Sequence, residues 1–181
     1  MQLKETAIPG VLILQFPVYR DERGYFQELF RRDALKDAGV EIDWLQDNLS
    51  VSAKNVIRGL HYQISRPQAK LIQVVHGAVF DVAVDLRKSS PTFGKHVEIE
   101  LRSGSGTALL IPIGFAHGFA ALEPDTTFLY KVSETHFPAG ERTIVWNDAD
   151  LGINWPIPPQ DAILSEKDRR GVPFSSAEVF S

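Results

Sequence analysis

The sequence predicts an all-β fold of antiparallel strands, either a sandwich or a barrel. Three observations carry this expectation: many segments of four to nine residues that read as strands, a turn signal between nearly every pair of them, and almost no helix between. Residues 11–16 read as a strand ended by Pro17, Asp21-Glu22-Arg23-Gly24 as a turn, and residues 25–30 as a second strand. Residues 32–39 are the one convincing early helix, with Asp33 placed to cap its start and Gly39 where a left-handed terminator is wanted. Strands are then expected over residues 46–52, 56–63, 71–75, 78–86, 96–101, 107–111, 117–122, 126–132 and 142–146. The separating signals include Ala53-Lys54-Asn55, His76-Gly77, Ser103-Gly104-Ser105-Gly106 and Glu123-Pro124-Asp125. Near the end, Ser165 followed by Asp168 and closed by Gly171 suits one or two helical turns.

With 181 residues, no repeat and no linker, the chain is expected to form a single domain over residues 1–181. It has no cysteine, so nothing depends on disulfides, and no apolar run approaches a membrane span. The first twenty residues lack the features of a secretion signal, so a soluble cytoplasmic protein without a membrane partner is expected. A net charge of −4 argues against a nucleic-acid partner and leaves room for a local basic pocket that takes a phosphorylated small molecule.

The densest polar chemistry lies in Arg58-Gly59-Leu60-His61-Tyr62-Gln63, followed after a Pro-containing turn by Lys70. A guanidinium, an imidazole and an ammonium at the edge of buried strands ask for a ligand. A second stretch, Gly106 to His117, has the spacing Gly-x5-Pro-x-Gly-x-x-His, which resembles the second motif of the cupins. Gly106 permits the entering turn, Pro112 and Gly114 bend the chain, and His117 begins the next strand pointing inward. In metal-binding cupins two histidines one residue apart precede a glutamate; here His61 is followed two residues later by Gln63, a poor ligand, so no metal is expected.

A wider resemblance runs along almost the whole chain. Asp21-Glu22-Arg23-Gly24, Gln46-Asp47-Asn48, Arg58-Gly59-Leu60-His61, Pro67-Gln68-Ala69-Lys70-Leu71, Phe80 to Asp85, Ile111 to Phe119, Phe128-Leu129-Tyr130-Lys131, Trp146-Asn147-Asp148 and Leu164 to Asp168 resemble, in that order, the dTDP-4-dehydrorhamnose 3,5-epimerases. The resemblance implies a double-stranded β-helix, the cupin-type jelly roll, with a few short helices. It implies a homodimer that uses no cofactor to convert dTDP-4-dehydro-6-deoxy-glucose to dTDP-4-dehydro-rhamnose in dTDP-rhamnose biosynthesis.

The residues suit that chemistry. Inverting a carbon beside a ketone needs a base, a cation for the enolate and an acid on the opposite face. His61 is the candidate base, Lys70 the cation near the ketone oxygen and Tyr130 the acid; by resemblance Asp168 is the carboxylate that orients His61. Arg23, Arg58 and Lys167 supply positive charge for the diphosphate, and Glu28, Gln46, Asp47, Asn48, His117 and Glu141, with Lys70, match substrate-contact positions of the family. One departure is Thr135, where the family usually carries an aromatic that stacks on the thymine; His136 and Phe137 are the neighbouring substitutes. Gln73 stands where the family often has Arg. Read alone, Tyr130 is equally an inward strand aromatic, Asp168 equally a helix-start carboxylate, and His61 or His117 a structural histidine. Asp81 and Asp85 alternate with apolar neighbours, so one of them is placed to be a second orienting carboxylate. Two other readings stay open: an epimerase or isomerase of the same architecture acting at one carbon or on a related nucleotide 4-keto sugar, and a non-catalytic sugar-nucleotide-binding cupin.

Overall fold

The computed structural model describes residues 1–181. In chain order the strands are β1 (Gln2–Glu5), β2 (Leu12–Gln15), β3 (Val18–Asp21), β4 (Gly24–Gln27), β5 (Gln46–Ser52), β6 (Ile57–Gln63), β7 (Lys70–His76), β8 (Ala78–Asp85), β9 (His96–Arg102), β10 (Thr107–Ile111), β11 (Phe115–Ala121), β12 (Thr126–Val132) and β13 (Glu141–Thr143). The helices are α1 (Arg32–Asp37) and α2 (Glu166–Arg169). Two antiparallel sheets form the body, one ordered β1-β2-β10-β7-β12-β5 and the other β13-β6-β11-β8-β9, while β3 and β4 make a separate hairpin. This is the all-β jelly roll with few helices that the strand spacing and the resemblance predicted.

Period-two alternation decides which side chains meet between the sheets. Val79 and Ala83 of β8, Phe115 and Phe119 of β11, Ile72 and Val74 of β7 and Phe128 of β12 share one buried cluster there. The intervening residues also find cover: Val82, Val84 and Ala116 pack under the C-terminal segment with Phe174 and Phe180, and Leu14, Leu71 and Leu110 pack with Leu35 of α1. Burial on both faces explains why β8 and β11 read as nearly unbroken apolar runs rather than alternating ones. At the approach to β10, Gly106 has φ +77°, and a Cβ there would stand 2.3 Å from the Phe16 carbonyl oxygen, so the turn admits only glycine. No helix is long and apolar enough to cross a membrane.

Several expectations shift. β1 and β3 were not expected as strands; their residues are mostly exposed, so neither shows an apolar alternation. The segment expected over 142–146 pairs as a strand only over β13, which lies against β6. The N-cap of α1 is Arg31 with no side-chain cap, and Asp33 sits inside the first turn instead, whereas Gly39 has the expected positive φ of +83°. In α2 the expected cap is present, Ser165 Oγ accepting from the Asp168 amide. His117 is the third residue of β11 rather than its start, and still faces inward.

Candidate functional site

Residues of both sheets line a cavity of about 390 Å³. β5 contributes Gln46, Asn48 and Ser50; β6 contributes Arg58, His61, Tyr62 and Gln63; β11 and β12 contribute His117, Phe119, Phe128 and Tyr130. Gln68, Lys70, His136, Glu141 and Lys167 complete the wall.

His61 is placed by a close approach of two strands. It pairs with His117 across β6 and β11, and Gly59 lets those strands approach: its φ is +131°, and a Cβ there would lie 2.5 Å from Gly118 Cα. The His61 ring turns Nε2 to Asp168 Oδ1 at 2.5 Å. Asp168 is only 3% exposed, and it also accepts from the Gly59 amide at 3.3 Å and from Ser165 Oγ at 2.6 Å. Burial pushes the Asp168 carboxyl up, yet the hydrogen bonds from His61 and Ser165 outweigh it and hold the group below the usual carboxylate range. It is therefore an anion beneath the imidazole, and the helix that carries it is fixed by its own Ser165 cap.

A second pair stands beside the first. His117 Nε2 lies 2.9 Å from Asp81 Oδ2, and Asp81 is fully buried, on the inward face of β8 between Val79 and Ala83. Of the two aspartates singled out, Asp81 is the one that orients a histidine. Asp85 lies apart, bound by Arg87, Ser90 and Thr92.

Lys70 is 8% exposed, and its ammonium donates to Gln68 Oε1 at 3.2 Å. Burial lowers its pKa to about 8, with Lys167 adding to the drop and Glu141 opposing it. Burial likewise raises the Tyr130 hydroxyl, and the Arg58 charge counters this. Arg58 is itself held by β5, donating to Ser52 Oγ at 3.1 Å and the Val51 carbonyl at 3.3 Å. Glu141 is pushed up by burial, but its ion pair with Lys167 brings it below its ordinary value.

Four residues named from the sequence are not on this wall: Asp168, which stands behind the His61 ring, and three that lie farther off. Arg23 occupies the tip of the β3–β4 hairpin, with its side chain 85% exposed and paired with Asp21. Glu28 follows β4 and faces Arg31 at 3.8 Å. Asp47 alternates with Gln46 and Asn48, so it falls on the other face of β5 and accepts from Lys131 at 2.8 Å. Conversely, Ser50, Gln68, Phe119 and Phe128 were not singled out. Alternation could have found three of them: Ser50 follows Asn48 by two, Phe119 follows His117 by two, and Phe128 precedes Tyr130 by two, whereas Gln68 lies in the turn before β7. At the Thr135 departure, Thr135 Oγ1 accepts from Arg66 at 2.8 Å and Phe137 lies under the Arg66 guanidinium, while His136 reaches the cavity. Gln63, the residue in place of a metal-binding side chain, clamps the same loop through the Arg66 carbonyl and the Phe137 amide. Gln73, where the family often has Arg, is buried and donates to the Leu29 carbonyl at 2.9 Å.

Known proteins share this fold and much of this sequence. A family model described as dTDP-4-dehydrorhamnose 3,5-epimerase matches residues 5–176. The dTDP-4-dehydrorhamnose 3,5-epimerase of Pseudomonas aeruginosa is 47% identical, with 99% of each chain covered. Among solved structures, the dTDP-6-deoxy-D-glucose-3,5-epimerase of Legionella pneumophila, in complex with dTDP-4-keto-L-rhamnose, superposes with a TM-score of 0.93 at 39% identity, covering 98% of this chain and 94% of the other. A 3'-monoepimerase from Streptomyces bikiniensis, in complex with dTDP-quinovose, gives 0.87 at 33% identity, covering 94% and 86%. Carrying a cavity built on a buried His–Asp pair and matched along nearly its whole length, the chain belongs to the dTDP-4-dehydrorhamnose 3,5-epimerase family.

Proposed function

We propose that this chain inverts carbons 3 and 5 of dTDP-4-dehydro-6-deoxy-glucose, giving dTDP-4-dehydro-rhamnose, by removing and returning protons beside the 4-keto group. The observation that carries the reading is that His61, seated on the buried Asp168 anion, shares one cavity with Tyr130 and Lys70. His61 takes the proton from the carbon next to the ketone, and Asp168 steadies the imidazolium that results. The buried Lys70 ammonium stabilises negative charge on the carbonyl oxygen, where a low local dielectric strengthens the interaction. Tyr130 returns a proton to the other face. Arg58 and Lys167 take the diphosphate, with Gln46, Asn48, His117 and Glu141 fixing the rest of the nucleotide sugar. The relatives support this reading through the activities they are named for and the dTDP-sugars bound in their structures.

The test is proton NMR of chelator-treated protein with dTDP-4-dehydro-6-deoxy-glucose in D₂O. Deuterium should enter at carbons 3 and 5 with wild-type protein and at neither with His61→Ala. Exchange at carbon 3 alone would move the assignment to a single-site epimerase, the activity named for the Streptomyces bikiniensis relative. Absence of exchange would refute the reading.

We further propose a homodimer. The open edge of the larger sheet, β5, exposes Leu49 and Val51, and the hairpin exposes Tyr19, Tyr25 and Phe26, apolar surface that a second copy would bury. A hairpin seated on a second copy would also give Arg23 and Glu28, absent from the wall of their own cavity, access to nucleotide. Sedimentation at a monomer mass would rule this out.

A further inference from the structure

Ser52 ends the inward row of β5 that begins with Gln46, Asn48 and Ser50, but unlike those three it does not line the cavity. It is 2% exposed and stands behind the wall, opposite Thr126 of β12, whose own hydroxyl is turned to the Ala78 and Glu123 carbonyls. The Ser52 hydroxyl serves the other sheet. Arg58, on β6, folds back over the connection of residues 53–56 and donates from Nε to Ser52 Oγ at 3.1 Å and from Nη2 to the Val51 carbonyl at 3.3 Å. A guanidinium has five N–H donors in a planar fork, and Nε with one Nη2 hydrogen forms its side edge. Both anchors sit on that edge, so the end edge, Nη1 with the second Nη2 hydrogen, is left free. Both anchors are also neutral: Arg58 makes no ion pair, whereas Lys167 is paired with Glu141 and Arg66 with Glu134.

We infer that Ser52 is a positioning residue for Arg58, turning the guanidinium so that its end edge meets the diphosphate as a two-pronged donor. The inference rests on the assignment of Arg58 to the diphosphate made above. An arginine side chain has several rotatable bonds, and a ligand that must first order it loses that ordering cost from its affinity. Ser52, fixed in a buried stretch of strand, orders the guanidinium before the ligand arrives. The neutrality of the anchor matters as much as its fixed place. A carboxylate at residue 52 would hold the guanidinium as firmly, but it would cancel much of the charge that a phosphate needs and would itself repel the ligand. A serine hydroxyl orients without neutralising.

Wild-type protein, Ser52→Ala, Ser52→Thr, Arg58→Ala and the Ser52→Ala/Arg58→Ala double variant are titrated calorimetrically with dTDP, with circular dichroism to confirm the fold. Ser52→Ala should weaken dTDP by about 5- to 50-fold, the scale of a lost hydrogen bond to a charged group, and Ser52→Thr, which keeps the hydroxyl, should stay within about threefold of wild type. In the Arg58→Ala background, removing the Ser52 hydroxyl should change the affinity by less than about twofold, because residues that act through one another are not additive. A merely structural serine would give the same loss with or without Arg58. Unchanged affinity in Ser52→Ala, or equal losses in the two backgrounds, overturns the inference and leaves the diphosphate assignment standing. Should Ser52→Ala not fold, nitrogen–proton NMR of the ligand-free wild type decides the matter. The Arg58 Nε–H, identified by its absence in Arg58→Lys, should exchange with water at least about tenfold more slowly than that of Arg32, whose side chain is 78% exposed, and equal rates overturn the inference. An Arg58→Ala protein that binds dTDP as tightly as wild type would instead overturn the diphosphate assignment, and the inference with it.

Discussion

His61 Nε2 and Asp168 Oδ1, separated by 107 residues of chain, stand 2.5 Å apart, and the carboxylate is sealed from solvent behind the ring. Asp168→Asn should therefore lower kcat by ~10²–10⁴, comparable to His61→Ala, because the ring loses the carboxylate that fixes its orientation. Residues acting as one unit are not additive. The double variant should be no slower than His61→Ala alone, as measured by deuterium exchange with circular dichroism to confirm the fold.

Lys70 sets function against stability. Burying its ammonium lowers the pKa from 10.5 to about 8, so the folded state carries fewer protons than the unfolded state between those values. Stability from this group should rise with pH across that window, while activity that needs the ammonium falls above about pH 8. Lys70→Met should abolish exchange yet raise stability near neutral pH by on the order of 1–3 kcal/mol, since the desolvation cost disappears. Denaturant melts of both proteins from pH 7 to 10 would check this. A gap that fails to close as pH rises would show that burial of the charge is not the cause.

Asp81 and Asp85 lie four residues apart on one strand but should fail differently. Asp81 orients His117 at the cavity, so Asp81→Asn should cost about 10- to 100-fold in kcat/KM, the usual scale for a group that positions a functional histidine. Asp85 is held near a pKa of about 2 by Arg87, Ser90 and Thr92 despite its burial, away from the cavity. Asp85→Asn should destabilise by about 1–3 kcal/mol and leave kcat/KM within about twofold. Steady-state kinetics and thermal melts on both variants separate the two roles.

The elements best read from sequence are those whose pattern is local. β5, β10 and β12 begin and end where expected because turn residues bound them, and the Ser165 cap of α2 announces itself within four residues. β1 and β3 escape because pairing alone defines them; their mostly exposed residues carry no core-facing alternation. The same division holds in the site. His61, Lys70 and Tyr130 carry groups that suggest chemistry, whereas Phe119 and Phe128, though inside the same motifs, look like any inward strand aromatic until the cavity beside them is visible. Asp47 shows the limit of a motif read as a block: beside Gln46 and Asn48 in sequence, it is turned to the opposite face by the pleat.

Tyr130 offers the sharpest separation of the two halves of the reaction. The hydroxyl is half-buried, and burial raises its pKa, so at neutral pH it holds a proton and can act as a donor. His61 stands on the opposite sheet, and the proton abstraction proposed for it does not need that hydroxyl. In Tyr130→Phe, His61 should still abstract a proton and return deuterium to the same face, while inversion, which needs a donor on the far face, falls by ~10²–10⁴. The expected spectrum in D₂O therefore shows label entering the substrate with its configuration retained and almost no epimer formed. Loss of exchange together with inversion would assign Tyr130 to substrate placement instead, and unchanged inversion would place the acid elsewhere in the cavity.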